Sequence, residues 1–191
     1  MDRSDPLQAA KIVAIADTHG RPHPRALEWV ERERPACILH GGDIGDLAVL
    51  DAFGEIAPVI AVRGNIDAPV PGVPETLVLT MTRPERPDLT ILLTHIAVYG
   101  PRLNPQARKL AESAGASLVV CGHSHVPFIL RSKSLWVFNP GSIGPRRFQL
   151  PITFGVIELG AEGLRLEHVD CETGQRWLPP RPRSDPSPAR A

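Results

Sequence analysis

Two metal-binding side chains follow the first apolar run of the sequence. The run Ile12–Ala16 ends at Asp17 and His19, and Gly20 opens a turn. A continuous apolar run is typical of a buried strand in a parallel sheet, and side chains two residues apart on an extended chain share a face. Because open α/β sheets bind ligands at the carboxyl ends of their strands, we expect Asp17 and His19 to point into one cavity.

The same pairing recurs late in the chain, where the apolar run Ser117–Cys121 leads to His123 and His125. Three further predicted strands end in side chains that can bind metals, and the full set is Asp17, His19, Asp43, Asn65, His95, His123 and His125. These donors exceed the roughly four ligands of a single zinc ion, and they favour two ions that share a bridging carboxylate. Mixed imidazole and carboxylate donors favour Mn²⁺, Zn²⁺, Fe²⁺ or Ni²⁺ over Mg²⁺ or Ca²⁺.

The charge balance and the cysteine content argue against several classes of protein. The 191 residues carry 21 Lys and Arg against 21 Asp and Glu, so the formal net charge is zero. Generic binding to nucleic acids or anionic membranes depends on excess positive charge, and both are disfavoured. Three cysteines without a Cys-x-x-Cys motif predict free thiols, with Cys37 and Cys121 in apolar runs. Neither a signal peptide nor a membrane-spanning segment is predicted, so we expect a cytoplasmic protein.

The order of the predicted elements indicates two sheets packed together with helices on the outside. Strands and helices alternate in the first half of the chain, and the second half is mainly β. We expect one domain over residues 11–177. It lies between a flexible N-terminus, residues 1–10, and a disordered tail rich in Pro and Arg, residues 178–191.

Capping signals predict where the helices begin and end. A helix is predicted over residues 24–34, and a second, short one follows Asp46 as its N-cap. The third begins after Asn104, where Pro stands at the first helical position, and ends with Gly115 at C′.

Five short motifs stand at the ends of predicted strands. They are Asp17-Thr-His19, Gly42-Asp-Ile-Gly-Asp46, Gly64-Asn-Ile-Asp67, Thr94-His95 and Gly122-His-Ser-His125. In this order they resemble the motifs of calcineurin-like metallophosphoesterases, and the resemblance extends from Ile12 to Asp170. The turn Asn139-Pro-Gly-Ser142, followed by Arg146, is similar to the small YfcE-type phosphodiesterase branch of that family.

The resemblance implies a four-layer α-β-β-α sandwich with two mixed sheets packed face to face, and a site for two divalent ions. Manganese is the first choice, with zinc, iron and nickel as alternatives. Asp17, His19, Asp43 and His125 would hold one ion, and Asp43, Asn65, His95 and His123 would hold the other. Asp43 would bridge the ions and help to hold the hydroxide that attacks a phosphoester. Asn65 and Arg146 are the candidate substrate-binding residues.

Ile66 marks a departure from the family pattern. Many relatives carry a His there that protonates the leaving group, and Ile cannot transfer a proton. General acid catalysis typically contributes about 10²–10⁴-fold, so this substitution disfavours attack on poor leaving groups. Together with the YfcE-type resemblance, it favours a phosphodiesterase over a phosphomonoesterase. Ile96, where many relatives have Gly, is a second departure, which alters the shape of the pocket.

Two other functions stay open from the sequence. A non-catalytic scaffold or protein-interaction module, similar to the Vps29 type, would share the fold. A metal-dependent nuclease is a further alternative, weakened by the net charge of zero. A small phosphoester is the expected binding partner, no membrane partner is expected, and a homo-oligomer is left open.

Several polar residues near the motifs also have an ordinary structural interpretation. Asp67 is predicted to form an Asx-turn. His40 either supports the metal ligands from behind or packs in the core. Arg146 and Arg147 either clamp a substrate phosphate, for which guanidinium groups are suited, or form a solvated pair. His168 is predicted to lie on the surface.

Overall fold

The computed structural model describes residues 11–81, 88–100, 102–160 and 163–178. The strands, in chain order, are β1 (Lys11–Ile15), β2 (Cys37–His40), β3 (Val59–Ala61), β4 (Thr76–Met81), β5 (Leu89–Thr94), β6 (Val98–Tyr99), β7 (Arg102–Leu103), β8 (Leu118–Val120), β9 (Phe128–Ser132), β10 (Leu135–Asn139), β11 (Thr153–Gly160), β12 (Gly163–Asp170) and β13 (Arg176–Trp177). The helices are α1 (Ala26–Glu33), α2 (Ala48–Gly54) and α3 (Pro105–Ser113). The predicted flexible N-terminus lies outside the described residues, and so does the predicted tail after Leu178.

Two large sheets of mixed strand direction form the fold. The first has six strands in the order β13-β12-β11-β1-β2-β3, and the second has five in the order β4-β5-β8-β10-β9. In the first sheet β1, β2 and β3 run parallel, with α1 and α2 as the connections. In the second, β5 and β10 both run parallel to β8, and α3 connects β5 to β8 along the chain. β6 and β7 form a separate two-stranded ribbon.

The apolar core has three layers: one between the two sheets and one between each sheet and its helices. The side chains of β1 contribute to two of them. Ile12 and Ala14 pack between the sheets, whereas Val13 and Ile15 pack beneath α1 and α2, and all four are fully buried. This two-sided burial explains why the strand reads as an unbroken apolar run. The core between the sheets contains Ile12, Ala14, Leu39, Val62, Leu89, Ile91, Leu93, Leu118, Val120, Phe138, Ile157 and Leu159.

Helices cover the outer face of each sheet. Ala26 and Val30 of α1 and Phe53 of α2 pack on the first sheet. Ala107 and Ala111 of α3 pack on the second. The order of layers is therefore helix, sheet, sheet, helix, which confirms the predicted four-layer sandwich. The three helices within the described ranges have seven to nine residues, too few for any of them to span a bilayer.

α3 begins and ends where its capping residues predict. The Asn104 side chain accepts a hydrogen bond from the N–H of Ala107 at 2.7 Å. At the other end Gly115 has a φ of +63°, which is strained for residues with a Cβ, and its N–H donates to the carbonyl of Glu112. Both ends of this helix are thus encoded locally.

The other two helices begin later than predicted. α1 starts at Ala26 instead of residue 24. The N-cap of α2 is Leu47 instead of Asp46, and its side chain makes no capping bond. The Asp46 carboxylate nevertheless accepts a hydrogen bond from the N–H of Ala48 at 3.0 Å, so it still satisfies one free amide at this helix start.

His168 is buried, and the prediction that it lies on the surface is wrong. Its side chain is 1% exposed and packs against the rings of Phe138 and Trp177. Nε2 donates to the carbonyl of Asn139 at 2.8 Å, whereas Nδ1 has no partner among the described residues. Burial lowers the pKa of His168 to about 4, and the bond to Asn139 opposes this only in part.

Replacing His168 with Gln is expected to reduce the acid sensitivity of the fold. The unfolded chain protonates this side chain near pH 6.5 and the folded chain only near pH 4, so wild-type stability falls as the pH drops between these values. The decrease over this window, measured by urea unfolding, should be smaller in His168→Gln by about 3 kcal/mol. If the free energy of unfolding decreased equally in the wild type and in His168→Gln, the lowered pKa of His168 would be contradicted.

Candidate metal centre

All of the predicted metal donors converge at one end of the two sheets. They lie in the loops that follow five parallel strands, β1, β2 and β3 of the first sheet and β5 and β8 of the second. Because parallel strands end at the same edge of a sheet, each loop delivers its side chains to the same place. The two sheets pack face to face, so their loops form a single cluster.

One half of the cluster contains Asp17, His19 and His125. Together with Asp43, each offers a ligand atom within 4.8 Å of the others. The Nε2 atoms of His19 and His125 are 3.3 Å apart, and the two rings are stacked. Nε2 of His125 is 3.6 Å from Oδ1 of Asp17, and Nε2 of His19 is 3.8 Å from Oδ2 of Asp43.

The other half contains Asn65, His95 and His123. Oδ1 of Asn65 lies 3.1 Å from Nε2 of His95 and 3.0 Å from Nδ1 of His123. Nε2 of His95 is also 3.2 Å from Oδ1 of Asp43. The two oxygens of the Asp43 carboxylate therefore face different halves of the cluster, Oδ2 towards His19 and Oδ1 towards His95.

The donor set fits divalent cations. Nδ1 of His95 lies 2.7 Å from the carbonyl of Gly41, which can only accept, so the proton of the neutral ring is on Nδ1. In the neutral ring the lone pair on Nε2 would face oxygen atoms of Asp43 and Asn65, which are also acceptors, so this nitrogen has to bind a proton or a cation. Acceptors this close are stable only with a cation or a proton between them, and a bond from the second ring nitrogen to a carbonyl is typical of metal-binding His.

Burial and neighbouring charges set the protonation of the cluster. Burial raises the pKa of Asp17 to about 7 and lowers that of His125 to about 4. Burial alone would raise the pKa of Asp43 and lower that of His95, but a proton shared between the two groups reverses both shifts: the pKa of Asp43 falls to about 2 and that of His95 rises. Asp43 is thus a carboxylate, and His125 is a neutral imidazole of the kind that binds metals.

Most of the donor residues have a backbone conformation that is rare outside glycine. Five of the seven have positive φ angles: Asp17 (56°), His19 (47°), Asp43 (53°), His123 (70°) and His125 (56°). Such conformations are sparsely populated by residues with a Cβ, and they persist where the surrounding structure imposes them. The loops turn sharply at these residues, and their side chains consequently point inward.

His40 and Thr18 connect two of the donor loops from behind. Nδ1 of His40 accepts from the N–H of Gly42 at 3.2 Å, so the neutral ring carries its proton on Nε2 and donates to Oγ1 of Thr18 at 3.0 Å. Oγ1 in turn donates to the carbonyl of Ile44 at 2.8 Å. His40 therefore positions the loops that carry Asp17 and Asp43, and it is also fully buried.

Asp67 has a structural role, but the predicted Asx-turn is wrong, because the residue two positions on is Pro69, which has no N–H to donate. Its carboxylate accepts from the N–H of Gly64 at 2.8 Å within its own loop. It also accepts from the N–H groups of Ile44 and Gly45 at 3.0 and 2.9 Å. It therefore ties the Asn65 loop to the Asp43 loop.

Asn139 supports the His123 and His125 loop, a role that the sequence did not reveal. Its fully buried amide donates to the carbonyl of Gly122 at 2.7 Å and to Oγ of Ser124 at 3.1 Å. Oδ1 accepts from the N–H of Gly141 at 2.9 Å. The sequence showed a turn at Asn139. Its position directly after an apolar strand, like the positions of the predicted metal donors, was the signal that could have placed it near the cluster.

A cavity of about 370 Å³ opens over the cluster, and we call it the metal cavity. It is lined by His19, Asp43, Asn65, Ile66, His123, Ser124, His125, Arg147 and Phe148. Arg146 is not part of this lining, because its guanidinium donates to the carbonyl of Leu150 and pairs with Glu172. Of the two predicted arginines, Arg147 is thus the one that faces the cluster.

The comparison with known proteins identifies the family. The family model described as the calcineurin-like phosphoesterase superfamily domain matches residues 10–162. The chain belongs to this family. A probable metallophosphoesterase of Methanocaldococcus jannaschii is 32% identical over 137 residues, which are 69% of this chain and 67% of that protein. Phosphodiesterase YfcE of Escherichia coli K12 is 30% identical over 168 residues, which are 78% of this chain and 87% of YfcE.

Solved structures share the fold. The Escherichia coli YfcE structure has a TM-score of 0.63 at 22% identity, covering 88% of this chain and 97% of its own. Vacuolar protein sorting 29 of Cryptosporidium parvum has a TM-score of 0.70 at 20% identity, covering 88% and 94%. The predicted family and fold are therefore both confirmed.

Replacing Gly64 with Ala is expected to disrupt the cluster. A Cβ at this position would overlap the backbone nitrogen and Oδ1 of Asp43 and would lie 2.9 Å from its Cα. Asp43 would have to move, so metal content measured by elemental analysis of manganese-loaded protein should fall. The matched control is Gly54→Ala in α2, where a Cβ meets nothing within 4 Å and the metal content should not change. Full metal content in Gly64→Ala would contradict this reasoning.

Proposed function

We propose that the chain is a binuclear metal-dependent phosphoesterase that prefers phosphodiesters. The observation that carries the proposal is the Asp43 carboxylate, whose two oxygens face two separate groups of donors. The family match and the YfcE relative support a hydrolase of phosphoesters. The cytoplasmic location expected from the sequence is part of the same proposal.

Each half of the cluster would hold one ion. Asp17, His19 and His125 with Oδ2 of Asp43 form the first set of ligands. Asn65, His95 and His123 with Oδ1 of Asp43 form the second. The mixture of imidazole and carboxylate groups favours manganese, zinc, iron or nickel, and manganese remains our first choice.

Two such ions, when bound, supply an acidified water as nucleophile and neutralise charge on the phosphoryl oxygens. The protein would position the phosphate with two groups. Oδ1 of Asn65 is engaged by His95 and His123, whereas its amide nitrogen donates to no residue that the structure describes. Arg147 reaches the same cavity and can bind a phosphoryl oxygen with its guanidinium.

The preference for diesters rests on Ile66. This side chain lines the metal cavity and is 49% exposed there, so no ionisable group occupies the position at which many relatives carry an acid. Substrates with good leaving groups depend least on such an acid. The name of the YfcE relative agrees with this preference.

A non-catalytic scaffold is the alternative, favoured by the fold likeness to vacuolar protein sorting 29. The complete set of donors around Asp43 favours the enzyme instead. Tight binding to a partner protein without any metal-dependent turnover would support the scaffold.

Replacing Asp43 with Asn tests the proposal directly. Both ions would lose a ligand, so kcat/KM of the manganese-loaded protein on bis-p-nitrophenyl phosphate should fall by more than the roughly 10–100-fold typical of outer-shell changes. The control is Asp51→Asn, an exposed acid in α2. The wild type should also hydrolyse this diester faster than p-nitrophenyl phosphate. Unchanged turnover in Asp43→Asn would refute the mechanism, and a faster monoester rate would refute the diester preference.

Arg147 and Arg146 provide a matched pair of variants. Arg147→Ala should raise KM for bis-p-nitrophenyl phosphate by roughly tenfold, because a charged hydrogen bond to the phosphate is lost. Arg146→Ala should leave KM near that of the wild type, because its partners are Glu172 and the Leu150 carbonyl. The opposite pattern would show that the sequence-based choice of Arg146 was correct.

A further inference from the structure

A second cavity of about 300 Å³ lies beside the metal cavity, and we call it the side cavity. It is lined by Arg63, Gly64, Asn65, Glu75, Thr76, Thr94, His95, Ile96, Tyr99, Asn104, Gln106, Ala107 and Leu110. Asn65 lines both cavities. The two cavities therefore meet at the side chain whose amide nitrogen is proposed to hold the phosphate.

The only two exposed aromatic side chains of the protein line these two cavities. The chain has three Trp, one Tyr and five Phe residues, all of which the structure describes. Phe148 is 72% exposed and lines the metal cavity, and Tyr99 is 68% exposed and lines the side cavity. The other aromatic residues are buried or half-buried. Exposed aromatic groups that coincide with cavities in this way indicate ligand contacts rather than random surface positions.

The lining of each cavity also contains a further exposed apolar side chain. Ile66 accompanies Phe148 in the metal cavity, and Leu110 accompanies Tyr99 in the side cavity. Phe148 also has a φ of +57°, which is rare for an aromatic residue. Both cavities thus offer an apolar, planar surface at their mouths.

We infer that the substrate is a phosphodiester with a planar ring on each of its two ester arms, one ring packing on Phe148 and the other on Tyr99. The inference rests on the proposed function and extends it to a substrate class. Because Asn65 lines both cavities, a phosphate bound there can place one ester arm in each, and a monoester would fill only one of them. Arg63 and Glu75, which form an ion pair in the lining of the side cavity, provide polar groups for the remainder of that arm.

The test compares three substrates with the same leaving group: bis-p-nitrophenyl phosphate, methyl p-nitrophenyl phosphate and p-nitrophenyl phosphate. On the two-ring diester, Phe148→Ala and Tyr99→Ala should each raise KM by about three- to tenfold, the effect of losing one aromatic contact. On the methyl ester and the monoester, only the variant that loses the contact to the leaving ring should raise KM. Tyr99→Phe should recover what Tyr99→Ala loses.

Leu27→Ala serves as the control, because Leu27 is an exposed apolar residue of α1 outside both cavities. Two results would overturn the inference: KM on the two-ring diester unchanged in both Ala variants, or the same single variant raising KM on all three substrates. Either result with an active wild type would leave the proposed function intact. A wild type without metal-dependent turnover would overturn the proposed function and this inference together.

Discussion

The crowding of hydrogen-bond acceptors around Asp43 is the constraint on which the rest of the structure depends. Carboxylate oxygens, an amide oxygen and imidazole nitrogens lie 3.0–3.8 Å from one another, with few protons to share between them. At such short range these contacts are repulsive unless a proton or another positive charge lies between the acceptors. The fold supplies this arrangement because the five strands that carry the donors end at the same place.

Holding the acceptors in place requires both backbone strain and a second layer of hydrogen bonds. Left-handed conformations at residues with a Cβ cost on the order of 1–3 kcal/mol each, and five donors adopt them. Three polar groups behind the donors fix the loops: the His40–Thr18 contact, the Asp67 carboxylate and the Asn139 amide. Two apolar sheets packed face to face provide the stability that makes this strain tolerable.

Much of the fold was readable from the sequence, because its signals are local. Unbroken apolar runs gave the buried strands, and the Asn104 and Gly115 caps gave both ends of α3. The residues predicted to be donors each follow such a run, so their meeting at one end of the sheets was readable as well. The positive φ angles of the donor residues were not predictable, because Asp and His adopt this conformation much less often than Gly does. The sequence also could not predict which of Arg146 and Arg147 faces the cluster, because the side chains of an irregular loop follow no periodic pattern.

His168 was mispredicted although a signal existed. It stands two and four residues after Leu166 and Leu164 in β12, so it shares their face of the sheet, which packs against the core. The polarity of the imidazole favours the surface, whereas the alternation along the strand favours the core, and the alternation is what the structure follows. The supporting role of Asn139 was missed for a related reason, because an Asn before Pro-Gly also fits an ordinary turn.

The most direct test of a binuclear centre is the anomalous scattering of a crystal of the manganese-loaded protein, collected on both sides of the manganese absorption edge. Two separate peaks are expected, one between His19 and His125 and the other between His95 and His123, with the Asp43 carboxylate between them. A single peak, or peaks away from Asp43, would contradict the shared-carboxylate site.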